Sequence, residues 1–220
     1  MAKFKYYFDL MSQPSRALWI AFKMGKTPFE ECSVALRKRE QLSEEYKKIN
    51  RFQKVPCIVD GDLHLSESVA ILRYLSDKGQ FSETLYPKEL KARAKVDEFL
   101  EWQHLSVRLG CAMYFMRLWL LPMNGLAKMP SEEQILKLQK EMENSLDIIE
   151  NIWLDKSEFL TAKKLTIADI FGASEIEQTR LTKYDVSRKY PKIAEWLEKV
   201  RKESNPYYDE AHKFIYKKSA

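Results

Sequence analysis

The chain has 220 residues, of which 45% are hydrophobic and 31% are charged, and its formal net charge is +5. This length is enough for one large domain or two small ones with a sizeable core, and the composition is ordinary for a globular protein. Acidic residues are interleaved with the 37 basic residues and no arginine-rich tract is present, so we expect no nucleic-acid partner.

Membrane insertion and disulfide bonding are also disfavoured. The strongest apolar run, residues 114–122, is broken by Arg117 and Pro122 and is far shorter than the roughly 18 residues that span a bilayer. The N-terminus alternates charged and apolar residues, unlike a secretion signal. The three cysteines form no CxxC pair and the three histidines are scattered. We therefore expect a cytoplasmic protein with no membrane association and no metal site.

The first 80 or so residues predict the element order β-α-β-α-β-β-α. Alternating aromatic side chains at 3–10 predict a strand. The helix that follows has Pro14 in its first turn, where a missing N–H costs nothing, and stops at Gly25. The remaining elements are a short strand at 29–34, a polar helix at 43–50, a hairpin around Asp60-Gly61-Asp62 and a helix that starts at Glu67 and Ser68 and ends at Gly79.

One proline stands at an unusual place, directly before the first strand of the hairpin. Proline cannot donate to a strand ladder, so Val55-Pro56 needs an explanation. A cis peptide bond would turn the chain and leave the Val55 backbone pointing outward. A trans proline on a strand edge is the alternative, and spacing alone does not decide between them.

The composition changes near residues 80–88, and the rest of the chain predicts helices. Residues 91–115 carry one apolar stripe, and a second long helix opens with Ser131 and Gln134 in capping-box spacing. A third opens with Thr166 as N-cap and Asp169 three residues later, and a fourth follows Pro191. We predict an α+β domain at 1–82, followed by an all-α domain at 88–220.

The chain resembles the cytosolic glutathione transferases over nearly its whole length. The resemblance is carried by "DLMSQPSRA", "NRFQKVPCIVDGD", "SESVAILRYL" and a later "TIAD". Ser12 and the stretch "SQPSRA" are most similar to the theta class. The resemblance implies a thioredoxin-like first domain that binds glutathione, an all-helical second domain that builds much of the electrophile site, and a homodimer.

Ser12 corresponds in this resemblance to the theta-class catalytic serine. At the end of the first strand and the start of the first helix, its hydroxyl can donate a hydrogen bond to the glutathione sulfur. The positive end of the helix adds to the field there, and both effects favour thiolate over thiol. The alternative is that Ser12 only caps the helix.

The resemblance also implies residues for the rest of glutathione. Glu67 and Ser68 match the pair that grips the γ-glutamyl end, and the Val55 backbone can bond the central cysteine as an added strand. Gln41 and Lys54 lie where theta-class enzymes hold the glycine end. Gln41 departs from the family pattern, in which a histidine is common at that place.

Four further residues bear on the site. Arg108 matches an arginine that faces the site in theta relatives, and an interdomain salt bridge or a dimer contact is its alternative role. Tyr6 and Tyr7 are interpreted as strand residues, although other transferase classes use a tyrosine near that position. Cys57 is interpreted as a buried core residue.

The implied function is conjugation of the glutathione thiolate to small hydrophobic electrophiles such as halides, epoxides and unsaturated carbonyls, as in detoxification. Peroxide reduction or dehalogenation would use the same residues. No metal or redox cofactor is implied, since glutathione is a co-substrate. The alternative from another class is a transferase-like binding or scaffold module without catalysis. The chain ends soon after its last clear helix, which predicts an electrophile pocket more open than in theta relatives with a longer C-terminus.

Overall fold

A computed structural model describes residues 3–219. The chain divides into two compact units, and the division falls between Pro87 and Lys88. The first unit contains a four-stranded mixed sheet with three helices, and the second is helical. This arrangement confirms the predicted fold class, a thioredoxin-like α+β domain followed by an all-α domain.

The sheet of the first unit has the strand order β2-β1-β3-β4. Strand β1 pairs parallel with β2 and antiparallel with β3, and β3 pairs antiparallel with β4. The elements follow the predicted order. They are β1 Phe4–Phe8, α1 Gln13–Met24, β2 Phe29–Ser33, α2 Glu44–Ile49, β3 Cys57–Asp60, β4 Leu63–Ser66 and α3 Ser68–Asp77, with 3₁₀ turns at Leu36–Lys38 and Glu40–Leu42.

Alternation along β1 builds the core of this unit. Phe4, Tyr6 and Phe8 are buried, whereas Lys5 between them is exposed. The Phe22 ring of α1 packs edge-on against the rings of Phe4 and Tyr6, at centroid distances of 5.5 and 5.1 Å. Each fully buried aromatic side chain contributes about 1.5–3 kcal/mol, so this cluster fixes helix α1 on the sheet.

The strand register gathers several chain ends along one edge of the sheet. Tyr7, near the end of β1, lies opposite Cys57 at the start of β3, and Cys57 lies opposite Ser66 at the end of β4. The Val34 N–H, just after β2, donates to the Phe8 carbonyl at 2.8 Å. The segments that follow β1, β2 and β4 and the one that precedes β3 therefore share this edge.

The second unit departs from the prediction in its first helix. The apolar stripe of residues 91–115 is buried as predicted, but the helix is not continuous. A 3₁₀ turn at Gln103–Leu105 and the non-helical Ser106 interrupt it. The helices of the unit are α4 Leu90–Trp102, α5 Val107–Phe115, the single turn α6 Leu121–Met123, α7 Glu132–Ile148, α8 Ile167–Glu177, α9 Pro191–Ser204 and α10 Tyr207–Ser219, with π-helical segments at Met116–Leu120 and Ile149–Trp153.

The predicted helix caps are present, and one of them, at α8, also bonds to distant segments. Ser131 and Gln134 form the expected capping box of α7. At α8, one carboxylate oxygen of Asp169 accepts from the Thr166 N–H and hydroxyl, at 2.8 and 3.0 Å. The other oxygen accepts from the Leu160 N–H at 2.8 Å and the Trp196 indole N–H at 2.9 Å. Asp169 thus joins the helix start to two distant segments.

The last helix, α10, goes beyond the sequence analysis, which identified no helix after the one at Pro191. Its inward side chains, Tyr208, Ala211, His212 and Ile215, are spaced three, four and seven residues from the first, as on one helix face. No helix among residues 3–219 is long and apolar enough to cross a membrane.

Candidate active site

Ser12 lies in a tight turn between β1 and α1. Its N–H donates to the Asp9 carbonyl at 2.9 Å, and its own carbonyl accepts from the Arg16 N–H at 2.9 Å. Ser12 is the N-cap residue of α1, yet its side chain makes no capping hydrogen bond to the described helix. The alternative role of Ser12, a simple side-chain cap, is therefore not what the geometry favours.

Two buried side chains, Arg16 and Tyr6, hydrogen-bond to carbonyls in and next to the same turn. Arg16 is completely buried and donates from Nη1 to the Leu10 carbonyl at 2.7 Å. The Tyr6 hydroxyl donates to the Ser15 carbonyl at 2.9 Å. Burial raises the pKa of Tyr6 well above its ordinary value, so this hydroxyl keeps its proton. Tyr6 is a structural residue, as predicted.

Val55 presents its main chain at the same edge of the sheet. The Val55-Pro56 peptide bond is cis. Neither the N–H nor the carbonyl of Val55 has a hydrogen-bond partner within residues 3–219. Unpaired main-chain groups of this kind, two residues before β3, can pair with an extended peptide as an added strand does.

Glu67 and Ser68 occupy the junction between β4 and α3. Glu67 is exposed and has φ +68°, a backbone conformation that a residue with a Cβ rarely adopts. Ser68, the first residue of α3, is buried. The first N–H bonded inside the helix is that of Ile71, to the Glu67 carbonyl, which leaves the N–H groups of the first turn for an anion.

Gln41 and Lys54 offer polar groups that the described chain does not use. The Gln41 side-chain oxygen is buried and has no hydrogen-bond partner among residues 3–219. Lys54 is exposed, and none of the ion pairs found in that part of the chain involves its ammonium group. The Gln41 oxygen can only accept a hydrogen bond, so a carboxylate would bind to the Lys54 ammonium and to the side-chain N–H donors of Gln41.

Asn50, which no sequence motif identifies, organises this edge. Asn50 is buried, donates from Nδ2 to the Lys54 carbonyl at 2.6 Å and accepts on Oδ1 from the Phe52 N–H and the Ser66 hydroxyl, at 3.0 and 2.8 Å. It thereby ties the loop before Val55 to the end of β4. An asparagine after a short helix is a common C-cap, and no local signal distinguishes this one.

Cys57 lies in the core of the first unit, and Arg108 forms an ion pair within the second unit. Cys57 is completely buried, and burial raises its pKa to about 11, so it is a core thiol, as predicted. In the second unit, Nη1 of Arg108 lies 2.5 Å from Oε1 of Glu175, whose side chain is 1% exposed. Both residues belong to the same unit, so this ion pair is not the interdomain salt bridge considered above.

No three His, Cys, Asp or Glu side chains of residues 3–219 are grouped so that they could hold a metal ion. The groups at the sheet edge are instead a hydroxyl, free main-chain groups, a helix N-terminus and polar side chains. Such a set suits an extended peptide that carries charged groups at its ends.

Comparisons with known proteins decide the family. The family model described as "Glutathione S-transferase, N-terminal domain" matches residues 2–77, and the model described as "Glutathione S-transferase, C-terminal domain" matches residues 111–203. The chain belongs to the glutathione S-transferase family. It is therefore an enzyme of this family, and the alternative of a scaffold module without catalysis is set aside.

Individual relatives of this transferase are of the theta class. It is 36% identical over 212 residues to glutathione S-transferase theta-1 of Bos taurus, covering 96% of this chain and 88% of the relative. The apo structure of human glutathione S-transferase T1-1 has a TM-score of 0.91 at 33% identity, covering 98% of this chain and 90% of that one.

A second solved structure contains a glutathione conjugate. It is a human theta-class glutathione transferase in complex with the glutathione conjugate of 1-menaphthyl sulfate, with a TM-score of 0.90 at 33% identity, covering 97% of this chain and 87% of that one. The recognition of a theta-class transferase is thus confirmed. The individual roles of Ser12, Val55 and the other site residues stay predictions.

Proposed function

We propose that this transferase conjugates the glutathione thiolate to small hydrophobic electrophiles, namely alkyl or aryl halides, epoxides and unsaturated carbonyls. The observation that carries the proposal is the Ser12 hydroxyl, which makes no cap with α1 although it stands at the N-cap position. It shares the sheet edge with the unpaired Val55 backbone and the start of α3. The glutathione conjugate bound in the human theta-class structure supports the same assignment.

Glutathione binds along this edge in an extended conformation. The Val55 N–H and carbonyl pair with the cysteinyl residue as in an added strand. The first turn of α3, with Ser68, binds the γ-glutamyl carboxylate, and Glu67 pairs with the γ-glutamyl amino group. Gln41 and Lys54 bind the glycine carboxylate. The two ends of the tripeptide are thereby fixed, and the sulfur faces Ser12.

The reaction is a nucleophilic substitution or addition by sulfur. The sulfur lone pair forms the new S–C bond, while a halide leaves with its bonding electrons. With an epoxide the ring oxygen takes up the electrons of the broken C–O bond, and with an unsaturated carbonyl the electron pair moves to the carbonyl oxygen as an enolate. Solvent takes the thiol proton when the thiolate forms and protonates the alkoxide or enolate. Ser12 donates its hydroxyl proton in a hydrogen bond to the thiolate and stays bonded to it until the sulfur becomes a thioether. No metal or redox cofactor is needed, because the co-substrate supplies the nucleophile.

Ionisation of the thiol contributes only part of the rate. Lowering the pKa of the thiol from about 8.5 to about 6.5 takes about 2.7 kcal/mol and raises the thiolate fraction at pH 7 from about 3% to about 75%. A thiolate of lower pKa is a weaker nucleophile, by roughly 8-fold for a Brønsted slope of about 0.45. The net gain is about threefold, so alignment of the electrophile with the sulfur must contribute more.

Related reactions would use the same thiolate. Peroxide reduction or dehalogenation differs in what becomes of the sulfur adduct, and analysis of the products separates them from conjugation. On the family resemblance we further propose a cytoplasmic location and a homodimer. Sedimentation at micromolar concentration would test the dimer, and cell fractionation would test the location.

The decisive experiment is an ultraviolet difference titration of enzyme-bound glutathione. We expect Ser12→Ala to raise the pKa of the bound thiol towards about 8.5, so that thiolate absorbance at pH 7 falls from about three quarters to a few per cent of full ionisation. Ser15→Ala is the matched control, because it removes a completely buried hydroxyl without a hydrogen-bond partner from the same helix. Equal thiolate absorbance in native protein and Ser12→Ala would remove Ser12 from the mechanism, and failure to bind glutathione would overturn the site as a whole.

A further inference from the structure

The Asp9 side chain connects two segments of the sheet edge that carry proposed glutathione contacts. Its Oδ1 accepts from the Met11 N–H at 2.8 Å, and its Oδ2 accepts from the Leu36 N–H at 2.9 Å. The first partner belongs to the Ser12 turn and the second is 27 residues away. Hydrogen bonds to a carboxylate are about twice as strong as neutral ones, so this is a firm connection.

The first oxygen of Asp9 builds the turn that presents Ser12. The Asp9 carbonyl accepts from the Ser12 N–H at 2.9 Å, which closes a four-residue turn. The bond from the Met11 N–H to Oδ1 adds an Asx turn inside it. Aspartate is favoured at the first position of such turns because its side chain can accept from the N–H two residues later.

The second oxygen of Asp9 anchors the segment that contains Gln41. Leu36 begins a 3₁₀ turn, and a second turn, Glu40–Leu42, follows after Arg39. The Glu40 carboxylate also accepts a backbone N–H at the start of this segment, that of Ala35, at 2.7 Å. Asp9 and Glu40 therefore hold the same segment, but only Asp9 also holds the Ser12 turn.

We propose that Asp9 is a positioning residue of the transferase reaction, which keeps the Ser12 turn and the Gln41 segment at the separation that bound glutathione requires. This inference rests on the proposed function, in which the sulfur faces Ser12 and the glycine end contacts Gln41. Positioning of this kind has a large effect on rate, because a displacement of about 1 Å can cost about 100-fold. A purely structural Asp9 would change the melting temperature and leave the bound thiol as it is.

The test compares Asp9→Ala, Asp9→Asn and Glu40→Ala. Asp9→Ala removes both connections, and we expect a rise of about tenfold in the Kd for glutathione together with a higher pKa of the bound thiol. Asp9→Asn keeps one acceptor oxygen and opposes the other N–H with an amide donor, so its effect should lie between those of native protein and Asp9→Ala. Glu40→Ala loosens only the Gln41 segment, and we expect a change in Kd below threefold and the native thiol pKa.

Amide hydrogen exchange without glutathione supplies an independent readout. In Asp9→Ala, the Met11 and Leu36 amides should exchange faster than in native protein. In Glu40→Ala, the Ala35 amide should exchange faster instead. Native exchange at Leu36 in Asp9→Ala would overturn the inference, as would a native Kd and thiol pKa in that variant. If the native protein itself binds no glutathione, the proposed function fails first and takes this inference with it, so the two failures are distinguishable.

Discussion

Replacement of Arg108 by methionine tests whether its main role is to neutralise a buried carboxylate. In the native protein Nη1 of Arg108 lies 2.5 Å from Oε1 of Glu175. The Glu175 side chain is 1% exposed, whereas that of Arg108 is 34% exposed. In Arg108→Met the Glu175 charge would stay inside the helical unit without this cation.

The magnitude follows from the burial of the two partners. Removal of one partner of a fully buried ion pair costs about 3–5 kcal/mol. Since a third of the Arg108 side chain contacts water, its contribution is smaller, and we expect a loss of about 2–3 kcal/mol in the free energy of unfolding. Glu175→Gln should cost less, about 1 kcal/mol, because the arginine it leaves behind can reach solvent.

Urea unfolding of both single variants and of the double variant Arg108→Met/Glu175→Gln provides the assay. The double variant should recover most of the stability lost in Arg108→Met, since no buried charge is then left without its partner. Steady-state kinetics with a neutral and an anionic electrophile give the second readout. A change of less than 0.5 kcal/mol in Arg108→Met would refute the ion-pair reasoning. A selective loss of kcat/KM for the anionic electrophile, with native stability, would instead support an electrophile contact.

Three further changes probe the site and its framework. Glu67→Gly should relieve the backbone at φ +68° and raise the free energy of unfolding by about 1 kcal/mol while weakening glutathione binding, and a variant less stable than native protein in urea would contradict the strain argument. Asp169→Asn replaces a carboxylate oxygen that accepts two hydrogen bonds, and the free energy of unfolding in urea should fall by about 3 kcal/mol. An unchanged unfolding midpoint would contradict a stabilising role for these bonds. The hydrogen bond from Arg201 holds the pKa of Asp209 below its usual value, although burial opposes this. The resulting stabilisation is present above the unfolded value of about 3.9 and is lost as the pH falls through the lower folded-state pKa. As the pH is lowered from 5 to about 2, the melting temperature of Asp209→Asn should therefore fall less steeply than that of native protein. Parallel curves of melting temperature against pH would exclude this contribution.

The sequence by itself determined the local elements, and it supplied most of the candidate site residues. Alternation at 3–10, Pro14 near a helix start and the capping boxes act over a few residues, so the structure reproduces them. The theta-class resemblance also predicted the fold and the family, and both predictions are confirmed. The site residues of the first unit fall on the same sheet edge because their segments flank strands β1, β3 and β4, which pair with one another in the thioredoxin-like fold that the resemblance implied.

Only the tertiary structure decided which distant groups meet. Asp9 reaches Leu36 across 27 residues, and Arg108 reaches Glu175 across 67. The break of the predicted long helix at Ser106 and the cis bond at Val55-Pro56 were likewise beyond the reach of local pattern. The physical reason is that periodicity and caps report the preferences of a few consecutive residues, whereas a buried charge or an unpaired N–H takes its partner from whatever segment the packed fold brings beside it.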